Sequence, residues 1–374
     1  MKVCVMTDVH NPDDGRITKE IRTLIGAGYE VFYIAPKGAF NMPDVKYIPI
    51  DRSKSRIKRI IMDPKKVLKK AIEIDADVYH FHDPELMPVG YKLKKMGKKV
   101  VYDVHENYPE VMKLKNWIPR FIRPVLSYVI RILENFYVKR FDGAVVVTEN
   151  LFERFSKFTK CVLVPNYIDT EYLNEVKPKS NYKSDRIRFF YMGLMDNKTR
   201  SIVEMIEAFK MLRENYENIE LNMVGPITDK NLLKYIEENK IPDLNYIPPV
   251  SRKEVYKLAV QNDVGMMIYR PHGNSIQSSP NKMFEYMYLG LPIIASDFPY
   301  WRRILDKGPC ALYVDPNDPN DIAEKMEKFI RNEELRRIMG ETGKNIIKLY
   351  TWHSVKKDLL KLYKEVFNEN EDYL

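Results

Sequence analysis

The stretch "HGNSIQSSPNKMFEYMYLGLPIIASD", residues 272–297, holds a helix made mostly of apolar bulk: Met283, Phe284, Tyr286, Met287 and Leu289. It runs through Gly-Leu-Pro directly into the apolar strand PIIASD. A helix that turns at once into a buried strand is the repeating step of a sheet covered by helices. Within that helix stands one carboxylate, Glu285, which needs a reason to be there.

The same step repeats in both directions. Downstream come ALYVDP and three helical patterns; upstream, DVGMMIY, LNYIPPV, IELNMVGP and RIRFFYMG alternate with amphipathic segments. Nearer the start lies a second series: VCVMTDV, RITKEIRTLIGAGYE, VFYIA, VYHFH, ELMPVGYKLKKM, KVVYDVH, a long amphipathic stretch to Phe141, and GAVVVTE. The strand segments are almost continuously apolar, as parallel strands covered on both faces must be. Between the two series the composition turns polar, Thr170 to Asp185, and reads as a linker. The expected fold is α/β, with two doubly wound, Rossmann-like domains at 1–175 and 176–350 and a closing helical segment at 351–374.

Length and composition agree: 374 residues, 45% of them hydrophobic, exceed what one domain usually holds. Cys4, Cys161 and Cys310 are widely separated and show no metal-like or redox-like pairing, which predicts a reduced, cytoplasmic compartment. The opening MKVCVMTDV reads as a strand and lacks the zones of a secretory signal. The most apolar run, Phe121 to Val138, is broken by Arg123, Arg131 and Glu134 and predicts no membrane span. A net charge of +9 points to anionic partners: nucleic acid, lipid head groups or phosphorylated small molecules. The basic residues are not interleaved with a nucleic-acid module, so nucleic acid is not expected. Lys113 to Arg140 mixes Lys and Arg with Trp117, Phe121, Ile122 and Tyr128. That is the make-up of a helix lying on an anionic membrane; the alternative is an ordinary packed helix.

In open parallel sheets ligands sit beyond the carboxyl ends of the strands. Those positions hold Asp8 and NPDDGRI with Gly15, HFHDPE (80–85), DVHENYPE (103–110), GLMDNKTRS (193–201) and the stretch quoted first. Gly15 is expected to supply the backbone freedom of a close-approach loop. Asp13 and Asp14 either orient a ligand hydroxyl or cap a helix.

Taken in order, YHFHDPEL with VVYDVHENYPE, then VPNYID, YMGLM, RSIVEMIEAF, MVGP and PNKMFEYMYLGLPIIASD resemble the retaining glycosyltransferases of family 4, which have the GT-B fold with a cleft between two domains. The likeness runs from Asp8 to YTWHSVKKDLLKLY, similar to the family segment that crosses back to the first domain, so closure by hinge motion is expected. By this resemblance Glu285 is the second glutamate of the family's EX7E motif, whose carboxylate holds the ribose hydroxyls of a sugar nucleotide; two charge-assisted bonds suit that task. The alternative is a solvent-facing helix residue. The first glutamate's position is Gln277, an amide that can bond a sugar hydroxyl but cannot serve as an anionic nucleophile, which favours same-face displacement. Leu194 stands where the family commonly carries arginine. Arg200, with Lys198 in support, is left to neutralise the diphosphate; a solvated loop charge is the alternative for each. The expected donor-binding set is Gly15, Gly193, Lys198, Arg200, Gly225, Val250, Ser278, Ser279 and Glu285. His105 corresponds to the family histidine that contacts the transferred sugar, so the catalytic set is His105, Arg200 and Gln277. The acceptor set is Asp13, Asp14, His82 and Glu106, and His80 is read as structural.

The sequence DAD (Asp75 to Asp77) mimics a metal-binding signature but precedes its strand, at the wrong end of a sheet for a ligand. It reads as a turn, and neither metal nor other cofactor is expected; the nucleotide sugar is a substrate. The resemblance implies a metal-independent hexosyltransferase, UDP-sugar favoured, acting on a glycan or lipid-linked acceptor, peripheral on the inner membrane face. The alternatives are a sugar-nucleotide epimerase of the same fold and a noncatalytic nucleotide-sugar-binding protein.

Overall fold

The computed structural model describes residues 1–53, 55–114, 118–173, 176–276 and 279–367. The chain forms two compact units, Met1–Asn166 together with the chain from Trp352 onward, and Tyr167–Thr351. The break thus falls nine residues earlier than the one expected after residue 175. The reason is that the polar segment read as a linker packs on the second unit: Tyr182 is buried and donates to the Gly290 carbonyl (3.0 Å), and Lys179 pairs with Asp263 (3.0 Å).

In the first unit seven parallel strands lie in the order β3-β2-β1-β4-β5-β6-β7. They are β1 (Lys2–Met6), β2 (Glu30–Pro36), β3 (Lys46–Ile50), β4 (Val78–Phe81), β5 (Lys99–Val104), β6 (Gly143–Val146) and β7 (Lys160–Leu163). Val3, Cys4, Val5 and Met6 are all fully buried, because helices cover both faces of the sheet. Chain order reverses between β1 and β4, so the loops leaving those strands diverge and open a crevice at their carboxyl ends. The helix Trp352–Phe367 buries Val355, Leu359, Leu362, Tyr363 and Val366 in this unit. Gly143 leaves room for it, since a Cβ there would stand 2.9 Å from Leu362 Cδ1. Trp352 Nε1 donates to Thr23 Oγ1 (2.8 Å), and the Tyr363 hydroxyl meets His80 Nδ1 (2.8 Å).

The second unit repeats the plan with six parallel strands in the order β10-β9-β8-β11-β12-β13. These are β8 (Ile187–Met192), β9 (Ile219–Val224), β10 (Leu244–Ile247), β11 (Val264–Met267), β12 (Ile293–Ser296) and β13 (Ala311–Val314), and the reversal lies between β8 and β11. The helix Asn281–Leu289 is anchored over that point. Met283, Phe284, Tyr286, Met287 and Leu289 are buried, worth roughly 1.5–3 kcal/mol for each large apolar side chain. Gly265 in β11 admits the Tyr286 ring, whose carbons would lie 2.7 Å from a Cβ at that position. The Tyr286 hydroxyl accepts from Met192 N (3.2 Å) at the end of β8. Gly290 ends the helix at φ 76°, turning the chain into β12.

Candidate active site

In the first unit Asp83, just past β4, shapes the loop after β1: its Oδ2 accepts from Thr7 Oγ1 (2.6 Å), Asp8 N (2.8 Å) and Val9 N (3.3 Å). His10 sits between two carboxylates, Nε2 to Asp83 and Nδ1 to Asp14, each 3.3 Å. Burial opposes a charge on His10, but Asp14, Asp83 and Asp103 outweigh it and raise its pKa. Asp8 is raised to about 9, by burial first and then by Asp83 and Glu85, so it carries a proton at neutral pH.

Behind this loop lies a buried polar network. Arg16 forks onto Asp103 (Nε 3.2 Å, Nη2 2.8 Å), pairs with Glu20 (3.1 Å) and donates to the Val164 carbonyl (2.8 Å). Burial would raise Asp103, yet Arg16 and then His105 hold it well below the usual carboxylate range; Glu20 goes up, through burial and the nearby Asp103. His105 Nε2 lies 3.2 Å from Asp103 Oδ1 and 3.0 Å from His82 Nδ1. Burial pushes His80 down to about 4 and His82 well below its ordinary value. Among the described residues Glu20, His80, His82 and Asp103 are the group whose ligand atoms, all within 4.8 Å, have metal-binding chemistry. Arg16 already stands against both carboxylates, so this cluster contains its own counter-cation and a second would be repelled.

In the second unit the strand ends converge differently. Gly193 (φ 116°) and Gly225 (φ 138°) follow β8 and β9, and a Cβ on Gly225 would fall 2.3 Å from the Gly193 carbonyl oxygen. Only glycine tolerates that angle and that approach together. The Arg200 guanidinium stacks on Tyr269 (3.6 Å to the ring centre), and Arg200 and Tyr269 form a β-bridge. Lys282 Nζ lies over Tyr191 (4.1 Å) and Tyr269 (5.1 Å). Glu285 is 7% exposed, not solvent-facing; its Oε1 accepts from Arg252 Nη2 and the Tyr256 hydroxyl, both at 2.7 Å. Both of these bonds fall on Oε1.

Several expectations change in this light. Gly15 is the first residue of the helix Gly15–Gly26 and needs no left-handed angle. Asp14 caps that helix, accepting from Arg16 N and Ile17 N, while Asp13 and Glu106 are exposed. His82 is fully buried, so it reaches His105 rather than an acceptor; His80 is likewise buried. Asp75 ends its helix in a left-handed turn before β4, at the amino end of the sheet. Lys198 and Val250 are exposed at strand-end loops, and Ser279 is half-buried before the helix Asn281–Leu289. Gln277 and Ser278 lie outside the described residues, as does Trp117. Sequence reasoning missed His10, Arg16, Glu20, Asp83, Arg252 and Lys282.

Two Rossmann-like units, the second with cations and a buried carboxylate near its switch point, define an α/β protein of the doubly wound class. Residues 17–172 match the family model described as Glycosyltransferase Family 4, and residues 174–346 the model described as Glycosyl transferases group 1. The chain belongs to the family 4 type of GT-B glycosyltransferases, and it is a glycosyltransferase enzyme. It is 20% identical over 321 residues to phosphatidyl-myo-inositol mannosyltransferase of Mycobacterium leprae (strain TN), covering 85% of this chain and 81% of the relative. It is 22% identical over 409 residues to alpha-monoglucosyldiacylglycerol synthase of Acholeplasma laidlawii, covering 99% and 95%. Its fold matches sucrose-phosphate synthase from Thermosynechococcus elongatus at a TM-score of 0.77, with 14% identity over 99% of this chain and 100% of that one.

Proposed function

We propose that the enzyme is a retaining hexosyltransferase that takes a sugar from a nucleoside-diphosphate donor, UDP first among the candidates, and passes it to a lipid-linked or glycan acceptor. The carrying observation is that Arg200, stacked on Tyr269 after β11, and the helix that holds the buried Glu285 both lie near the switch point of the second unit. Glu285, steered by Arg252 and Tyr256, offers its remaining oxygen to ribose hydroxyls; Arg200 meets the charge that develops on the departing diphosphate. Because a side-chain cation serves that charge, no metal is needed there. His105 contacts the transferred sugar, its ring oriented by Asp103 and His82. With glutamine at 277, an anionic nucleophile is lacking at that position, so the leaving phosphate assists deprotonation of the acceptor on the same face.

The acceptor reading rests on the helix Arg123–Val138 and its approach. Phe121, Val125, Tyr128, Val129, Ile132, Leu133 and Phe136 are all exposed at helical spacing, with Arg120, Arg131, Lys139 and Arg140 exposed beside them. An ordinary packed helix would bury that stripe; an anionic lipid surface covers both the stripe and the charges. The two relatives carry glycolipid-forming names, which fits a lipid-linked acceptor. Among the described residues no helix is long and apolar enough to cross a membrane. The test is thermal stabilisation by UDP, GDP and ADP, followed by turnover of the matching sugar nucleotides with and without anionic liposomes carrying acceptor lipid. Acceptor-dependent transfer supports the proposal. Turnover without any acceptor would support the epimerase, and binding without turnover the noncatalytic protein. Failure to co-sediment with anionic liposomes at low salt would remove the membrane part.

A further inference from the structure

Lys282 is the residue that the apolar helix Asn281–Leu289 has least reason to hold. Its side chain is buried, 8% exposed, and Nζ has no hydrogen-bond partner among the described residues. A lysine stem usually lets its ammonium reach water, and this one ends instead over the rings of Tyr191 and Tyr269. A Cβ added at Gly193 would lie 3.2 Å from Nζ, so the ammonium sits directly against the turn that follows β8. Arg200 stacks on the same Tyr269 ring, and its Nε is also buried and has no hydrogen-bond partner among the described residues. Two cationic donors thus share one aromatic floor at the crevice of the second sheet. The one carboxylate acting on Lys282, Glu285, already has Oε1 taken by Arg252 and Tyr256.

We infer that Lys282 pairs with the diphosphate of the donor, working with Arg200 beside the Tyr269 ring they share. The inference rests on the donor reading above and adds its second cation, in a chain whose position 194 is leucine. An uncompensated buried ammonium is costly, and a methionine would fill the same space without that cost. A dianionic ligand supplies the missing partner and the missing hydrogen-bond acceptors at once. Burial first, and then Arg200, depress the pKa of Lys282, against Glu285, which raises it. Tyr191 from β8 and Tyr269 after β11 are the remaining titratable groups facing it. Arrival of the anion reverses that balance, so binding draws a proton onto Nζ wherever the free amine is neutral.

The experiment is calorimetric binding of UDP, GDP, ADP, inorganic pyrophosphate and the three corresponding nucleosides to wild type, Lys282→Met and Glu285→Gln. For the diphosphate that binds wild type, Lys282→Met weakens affinity roughly 10- to 100-fold, as loss of a charge-assisted contact does, and leaves the nucleoside unchanged. Glu285→Gln weakens nucleoside and nucleotide alike. Lys282→Met melts at or above the wild-type temperature, whereas a purely structural lysine would lower it. Equal nucleotide affinity in wild type and Lys282→Met would overturn the inference while leaving the donor site standing. Pyrophosphate that binds wild type and not the variant would uphold Lys282 even if every nucleoside failed. No binding of any nucleoside diphosphate or of pyrophosphate would overturn both readings.

Discussion

Glu285→Gln separates holding a helix in place from holding a ribose. In the native protein Oε1 accepts from Arg252 and Tyr256 at 2.7 Å each, and a glutamine keeps one carbonyl oxygen for them. The other oxygen becomes an NH2 group, which donates and cannot accept. Arg252 is 45% exposed, so the loss of its ionic partner is screened by water and costs no more than about 1 kcal/mol of stability. A hydrogen bond to a charged acceptor contributes about 1.5–3 kcal/mol, and about 1.4 kcal/mol is a factor of ten, so nucleotide affinity should fall roughly 10- to 100-fold. The assay is calorimetric titration with UDP, GDP and ADP and their 2′-deoxy counterparts. Wild type should prefer the ribonucleotide, and the variant should bind both forms with equal, weakened affinity. A variant that melts with wild type and still binds the ribonucleotide as tightly would refute the reasoning, as would a wild type indifferent to the 2′ hydroxyl.

Gly225→Ala pushes a Cβ to within 2.3 Å of the Gly193 carbonyl at φ 138°, and a loss of about 2–4 kcal/mol is expected in urea unfolding of the second unit; a loss under about 1 kcal/mol would show that the turn relaxes freely. Arg16→Met strands Asp103 and Glu20 in the interior, which should cost about 3–5 kcal/mol by chemical denaturation, and wild-type stability would mean the network is not held by this pair. His80 titrates near 4 when folded, against 6.5 for the ordinary imidazole. Between those values the unfolded chain binds the extra proton, so stability rises with pH across that window. Acidification from pH 7 to 4 should therefore cost wild type about 3 kcal/mol more than His80→Phe; equal pH slopes for the two would contradict it.

What the sequence made legible was whatever depends on neighbours close along the chain. Met283, Phe284, Met287 and Leu289 share a helical period, Val3 to Met6 form an unbroken apolar run, and Gly193 and Gly290 stand where a strand or helix must turn. Of the candidate site, Arg200 and Glu285 could be placed near strand ends for the same reason. Partnership across the fold was not. Arg252 meets Glu285 from 33 residues away, and Arg16 meets Asp103 from 87. Along the chain each of those cations looks like an ordinary surface charge, because nothing local marks its distant partner. Lys282 had the same disguise, one charge at the start of a helix.

Under the proposed function, these cations also bear on which unit would take the diphosphate. Arg16 is fully committed: two carboxylates and a backbone carbonyl occupy its guanidinium, and the acids around it exceed its charge. The carboxyl groups of Asp83 and Asp103 close to it would repel a diphosphate. In the second unit the balance is reversed. Among the described residues Arg200 and Lys282 each keep a buried nitrogen without a hydrogen-bond partner, and Glu285 is engaged by Arg252. Under the proposed function, the cations beyond the end of β8 make the second unit the place to hold the departing anion. The same proposal leaves hydroxyl groups to the first unit, where His105 is held between Asp103 and His82.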